Sequence, residues 1–191
     1  IFIHEINTNE PQVLFEDNVL SVSSFPLKHR VPCMGFRIQE KDKPLSVKKE
    51  SIEAYELGIE QIKQAKEGKN VVLNNGEIIE NHILTHPKEK LRSYAFCSDT
   101  AYSEEIVPHI KEVTTLYHEA TFLSDLEDRA KQTMHSTAKQ AAVIAQKANV
   151  NQLLLGHFSA RYKDVSDFKT EAEKEFSNVD LVSDNQSFEI I

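Results

Sequence analysis

Apolar and polar positions change rhythm several times along the chain, and each change marks a new element. Residues 12 to 27 (QVLFEDNVLSVSSFPL) and 33 to 38 (CMGFRI) carry the short, partly alternating pattern of strands, with Asp17-Asn18 as the turn between the first two. From about 47 to 67 the period lengthens. Ile52, Tyr55, Ile59, Ile62 and Lys66 recur at spacings of three or four, which predicts one broken or two short amphipathic helices interrupted at Gly58. Asn74-Asn75-Gly76 between VVL and EII predicts a hairpin, and His86-Pro87-Lys88 predicts a loop that closes this segment.

After residue 91 the pattern becomes regular: YAFCSDT, helical SEEIVPHIKEV, TLYHEAT, a long helix near 137 to 149, QLLLGHFS, and a helix near 166 to 176. Strands alternating with helices predict an α/β (α+β layered) sheet. In the long helix Ala141, Ala142, Ile144, Ala145 and Ala148 are apolar beside polar Lys139, Gln146 and Lys147, as suits close packing on a sheet. Thr137 and Gln140 form a capping-box pattern at its start. The tail, LVSDNQSFEII, reads as two short strands joined by an Asp-Asn turn.

Composition narrows the class. The 191 residues are 40% hydrophobic and 27% charged, enough for one domain with a core. No apolar run approaches the roughly 18 to 20 residues that span a bilayer, and the opening IFIHEINTNE lacks the flanks of a signal peptide. A membrane partner is therefore not expected, and a cytoplasmic protein is. Because the first residue is Ile rather than Met, a piece of a longer chain is the expectation. The net charge of −8 repels nucleic acid unless basic residues are segregated. Residues 28 to 49 segregate seven of them, Lys28, Arg30, Arg37, Lys41, Lys43, Lys48 and Lys49, against only Glu40 and Asp42. Cys33 and Cys97 form no CxxC pair and read as reduced, buried residues.

Three apolar runs end in residues able to bind metal or move protons: YAFCS reaches Asp99, TLY reaches His118 and Glu119, and LLLG reaches His157. Loops at the carboxyl ends of α/β strands converge on one crevice, so Asp99, His118 and His157 are placed to face it together. His29, between two strand patterns, and His135, at the start of the long helix, extend the set. His4, His82, His86 and His109 read as surface residues. Neutral imidazole and carboxylate are ordinary zinc ligands, and a pair of zinc ions stabilises charge on a phosphodiester under in-line attack. His29, Asp99 and His157 are three side chains, too few for two ions, and no HxHxDH cluster is present.

The ordered series KHRVPCMGFRI, YAFCSDT, HEATF, HSTAKQAA and LLLGHFSARY resembles the carboxy-terminal part of ribonuclease Z, the metallo-β-lactamase-fold endonuclease that removes 3′ trailers from precursor tRNA. The resemblance implies the second half of an αβ/βα sandwich. It implies two zinc ions in the complete enzyme, with His29, Asp99 and His157 as ligands and Asp99 bridging. It implies that His135 assists at the scissile phosphate while Glu119 orients it, and that Ser159, Arg161 and Tyr162 lie close by, Arg161 as a phosphate contact. The family's HxHxDH and PxKxRN motifs are absent here. Residues 40 to 90 stand where the family inserts a protruding arm that clamps tRNA, with Lys63 and Lys66 as expected contacts. Seven Lys against six acids between 41 and 70 make that surface mildly basic. The arm's Gly-Pro element is altered, Gly58 being followed by Ile59. The expected partners are precursor tRNA and a second copy of the chain, without DNA. Two other readings compete: a hydrolase of small esters or phosphodiesters on the same fold, and a catalytically empty fragment that binds RNA or a partner, whose half-sandwich would expose an apolar face.

Overall fold

The computed structural model describes residues 5–190, so His4 lies outside the described residues. The first strand signals become β1 (Gln12–Glu16), β2 (Leu20–Leu27) and β3 (Cys33–Glu40). Asp17 makes the first turn, its Oδ1 accepting from the backbone N–H of Val19 at 2.7 Å and of Leu20 at 2.8 Å, the way an Asx turn replaces a backbone bond.

Residues Lys41–Leu91 form a compact unit of their own. It holds α1 (Lys49–Ala54), α2 (Ile59–Lys66), the two-residue strands β4 (Val71–Val72) and β5 (Ile78–Ile79), and α3 (Asn81–Leu84). The helical pattern breaks at Gly58, which serves as the N-cap of α2 while its N–H donates to Gln61 Oε1 at 2.8 Å. The β4–β5 hairpin is antiparallel, with Gly76 at φ +88° in its turn, a conformation an L side chain rarely adopts. Leu57, Ala65, Val71, Ile79 and Leu84 make its core. Across 41–91 nine lysines meet nine carboxylates, so the basic excess of residues 41 to 70 is balanced over the unit as a whole.

The larger unit, residues 1–40 and 92–191, continues with β6 (Ser93–Cys97), β7 (Thr115–Glu119), β8 (Gln152–Gly156) and β9 (Val179–Leu181). Between them run α4 (Val107–Ile110), α5 (Glu127–Thr133), α6 (Ala138–Lys147) and α7 (Ser166–Ala172). The sheet order is β1-β2-β3-β6-β7-β8-β9. It is antiparallel from β1 to β6 and parallel from β6 to β9. The helical run 103–113 is shorter than its pattern implies, a 3-10 turn at Glu104–Ile106 followed by α4. The tail differs from the two strands expected in LVSDNQSFEII. Among its described residues Leu181, at the end of β9, is the one in a ladder, and residues 187–190 are irregular.

One face of this sheet carries the core. Phe25, Ala95, Leu116, Leu153 and Leu155 pack against the buried alanines of α6 and Phe168 of α7. The alanine stripe lets α6 lie close to the strands, and the Thr137–Gln140 capping box starts it, each backbone N–H meeting the other's side chain at 3.1 Å. Arg37, counted in the basic stretch, points to this side and donates to the carbonyls of His109 (3.1 Å) and Lys111 (3.3 Å). It therefore holds a loop and is not free for phosphate. His109 is likewise structural rather than a surface residue: its ring stacks on Phe25 with centroids 5.2 Å apart. On the opposite face Ile38 and Phe96 remain 41% and 36% exposed, and Phe96 stacks on Tyr117 at 4.7 Å. Cys97 is buried and Cys33 half-buried, both as free thiols. No helix among the described residues is long and apolar enough to cross a membrane.

Two substitutions test this packing. A Cβ on Gly35 would stand 2.5 Å from the ring of Phe25, itself buried, so Gly35→Ala should cost about 1–3 kcal/mol by overpacking. Thr137→Ala should cost about 1 kcal/mol by loss of the cap. Urea denaturation of each variant measures both.

Candidate active site

Three loops at the carboxyl ends of the parallel strands build the site, and they do so with strained backbone. Asp99 follows β6 at φ +58°, His157 follows β8 at φ +59°, and Met134, just before His135, sits at φ +62°. A left-handed conformation is uncommon for any residue with a side chain and persists where the surroundings fix it. Here it turns Asp99 and His157 back over the strand ends, His157 Nε2 lying 3.2 Å from Asp99 Oδ1. It also aims the Met134 carbonyl at His29 Nδ1, 2.9 Å away.

Glu119, the last residue of β7, fixes the surroundings. Its side chain is fully buried and accepts five hydrogen bonds. Oε1 takes the N–H of Thr100 at 2.8 Å and His135 Nδ1 at 2.7 Å. Oε2 takes the Thr121 hydroxyl at 2.6 Å and the N–H groups of Thr121 and Ser136, each at 3.2 Å. Burial opposes ionisation of Glu119, but the bonds from His135 and Thr121 outweigh it and hold the carboxyl below its ordinary range. The same bond raises the affinity of His135 for its proton against the opposing effect of burial. Ser136 adds a tie, its hydroxyl donating to the Thr100 carbonyl at 2.7 Å.

The histidine rings form a row: His29 lies 5.2 Å from His135, and His135 5.3 Å from His157, centroid to centroid. Donor atoms of Asp99, Glu119, His135 and His157 lie within 4.8 Å of one another. Glu119 is the least able of these to hold a metal, because a carboxylate offers about four lone-pair sites and five donors already occupy it. Asp99 and His157 keep 46% and 41% of their side-chain surface exposed, so their free atoms are open to a ligand. His29 donates to the Met134 carbonyl through Nδ1, so in the neutral ring Nε2 is the nitrogen that carries the lone pair. A carboxylate and neutral imidazoles with one nitrogen free are a donor set that fits zinc.

The structure thus brings Asp99, Glu119, His135 and His157 together, with His29 beside them. It corrects His118, expected in the crevice: that ring is buried within β7, its Nδ1 donates to the Glu119 carbonyl at 2.7 Å, and its Nε2 meets no partner. Alternation along the strand puts His118 on the core face, where burial lowers its affinity for a proton. Ser159 and Arg161 pair with each other, Arg161 Nε donating to Ser159 Oγ at 3.2 Å while the guanidinium lies 5.2 Å over the Phe122 ring. Tyr162 Oη accepts from the Leu123 N–H at 3.1 Å. Lys63 and Lys66 stand in the last turn of α2, within the smaller unit. Sequence reasoning passed over Thr100, Thr121 and Ser136, whose hydroxyls and N–H groups bind the loops together. The signal was the cluster of Thr and Ser directly beside Asp99, Glu119 and His135.

A mixed sheet with helices on one face and a His, Asp and Glu centre at its strand ends defines a metallo-β-lactamase-type fold. The chain is similar to the metallo-β-lactamase fold protein YhfI from Bacillus subtilis (TM-score 0.57, 17% identity, 90% of this chain and 49% of that one). It is also similar to human tRNase Z, short form (TM-score 0.56, 22% identity, 95% of this chain and 48% of that one). These likenesses establish the fold. In sequence the chain resembles ribonuclease Z along its whole length. It is 43% identical over 190 residues to the ribonuclease Z of Bacteroides thetaiotaomicron, and 45% identical over 171 residues to that of Parabacteroides distasonis. These alignments cover 100% and 90% of the chain but 60% and 56% of the relatives, so it spans about three fifths of their length. No family model matches it.

Glu119→Gln tests the cross-tie. An amide supplies one acceptor oxygen where five donors need two, and its NH2 confronts other donors. Loss of charged hydrogen bonds should lower stability by about 2–3 kcal/mol, read by urea denaturation.

Proposed function

We propose that the chain is a portion of a zinc-dependent endoribonuclease that removes the 3′ trailer of precursor tRNA by phosphodiester hydrolysis. The observation that carries this reading is the convergence of Asp99, Glu119, His135 and His157 at the strand ends in a chain similar throughout to ribonuclease Z. His29, Asp99 and His157 would hold the metal. Zinc held there would supply water activation and positive charge for phosphodiester hydrolysis. His135 stands beside these ligands with Nδ1 committed to Glu119, so its Nε2 is the atom that can exchange a proton at the scissile phosphate. The Glu119 carboxylate keeps that ring in one orientation and stabilises its charged form.

Arg161 and Ser159 are proposed phosphate contacts. Stacking on Phe122 holds the guanidinium extended while leaving it exposed. Residues 40 to 90 are proposed as the tRNA-gripping arm, with Lys63 and Lys66 meeting the phosphate backbone rather than reading bases. The partner is precursor tRNA and not DNA, in the cytoplasm. Homodimeric assembly belongs to the same reading, supported by the exposed apolar side chains of Ile38 and Phe96 on one sheet face.

Cleavage of a precursor tRNA with a 3′ trailer, by the complete protein that contains this chain, tests the proposal. Asp99→Ala should remove zinc and activity together, whereas His135→Ala should retain zinc and lose turnover by about 100-fold or more. Equal zinc loss in both variants would contradict the division of roles. Replacing Lys63 and Lys66 with Ala should flatten the salt dependence of tRNA affinity by about one to two contacts, with turnover of a minimal phosphodiester unchanged. An unaltered salt slope would remove these lysines from the reading.

A further inference from the structure

Thr121 lies between Glu119 and His157 and touches both. Its hydroxyl oxygen is 2.6 Å from Glu119 Oε2 and 2.9 Å from His157 Nδ1, and the residue is buried. A hydroxyl has one proton to give, while an ionised carboxylate can only accept. The shorter bond is the charge-assisted one. If the proton pointed to His157 instead, two oxygens 2.6 Å apart would face each other without a hydrogen between them. The proton therefore goes to Glu119, and the Thr121 oxygen must accept from His157. That requires a hydrogen on Nδ1 and leaves Nε2 as the nitrogen 3.2 Å from Asp99 Oδ1.

We propose that Thr121 is a positioning residue that fixes His157 in its Nδ1–H form, so that Nε2 is the nitrogen offered beside Asp99 to a divalent cation. The cation rests on the function proposed above; the proton assignment does not. Through this hydroxyl one buried carboxylate governs two histidines, His135 directly and His157 at one remove. The design also explains a threonine here rather than a second acid. A carboxylate in its place would crowd Glu119 with a like charge inside the protein, whereas a hydroxyl passes on only the acceptor.

Nitrogen NMR of the His157 ring in the full chain, labelled with 15N-histidine and assigned by the signal lost in His157→Gln, tests this directly. In the wild-type protein without metal, Nδ1 should carry hydrogen; an unprotonated Nδ1 with hydrogen on Nε2 would overturn the proposal without any Thr121 variant. Thr121→Val keeps the shape and deletes the hydroxyl, and Thr121→Ser keeps the hydroxyl. With zinc as the probe and a competing chelator, Thr121→Val should weaken binding by about 10- to 100-fold, and Thr121→Ser should restore it. Wild-type zinc affinity in Thr121→Val, with its amide spectrum still folded, would also overturn the proposal. Failure of the wild-type protein to bind zinc would count against the metal reading alone, since the metal-free ring measurement still decides the role of Thr121.

Discussion

The buried carboxylate of Glu119 is the constraint on which the site depends. An ionised group without water is stable only if its partners are all in place, and here they come from three separate loops: Thr100 after β6, Thr121 after β7, and His135 with Ser136 before α6. Beyond the single bridge between Phe122 and Thr137, these loops lie outside the strands and helices. Once Glu119 is buried, each must supply its donor, so the cost of burying the charge becomes the force that gathers the catalytic residues.

This explains how short loops can tolerate left-handed residues at Asp99, Met134 and His157. Each strained position is followed or flanked by a bond that leads back to the carboxylate: Asp99 by the Thr100 N–H, Met134 by His135, and His157 by Thr121. The strain is local and the restraint is shared. The parallel strands beneath supply a rigid base packed on the alanine face of α6, and the Thr137 cap pairs with Phe122 at the site's edge.

Much of this was legible in the sequence because it rests on period and order. Asp99 and His157 were readable as strand-end residues of one crevice, since each follows an apolar run, though His118 was grouped with them and the role of Glu119 came from the family likeness. The motif series led to the metallo-β-lactamase fold and the likeness to ribonuclease Z. The break at Gly58 and the cap at Thr137 were readable from local turn and cap chemistry. What escaped was directional. Whether His118 points to the crevice or the core depends on its parity in β7, which differs by one residue from that of Glu119. Arg37 and His109 looked like surface residues because their partners, a pair of carbonyls and the Phe25 ring, lie more than 70 positions away in sequence. The tail's second strand did not form for a tertiary reason: Phe188 and Ile190 line a cavity with Tyr94, Phe96, Tyr117 and Leu154 of the sheet instead of extending its edge.

Amide hydrogen exchange of Thr100, Thr121 and Ser136 tests the central claim most directly. If Glu119 is the common tie, these three amides should exchange with one shared opening free energy, well above that of exposed loops, and Glu119→Gln should release all three together. Three unrelated exchange rates in the wild-type protein, or continued protection of the amides in Glu119→Gln, would contradict it.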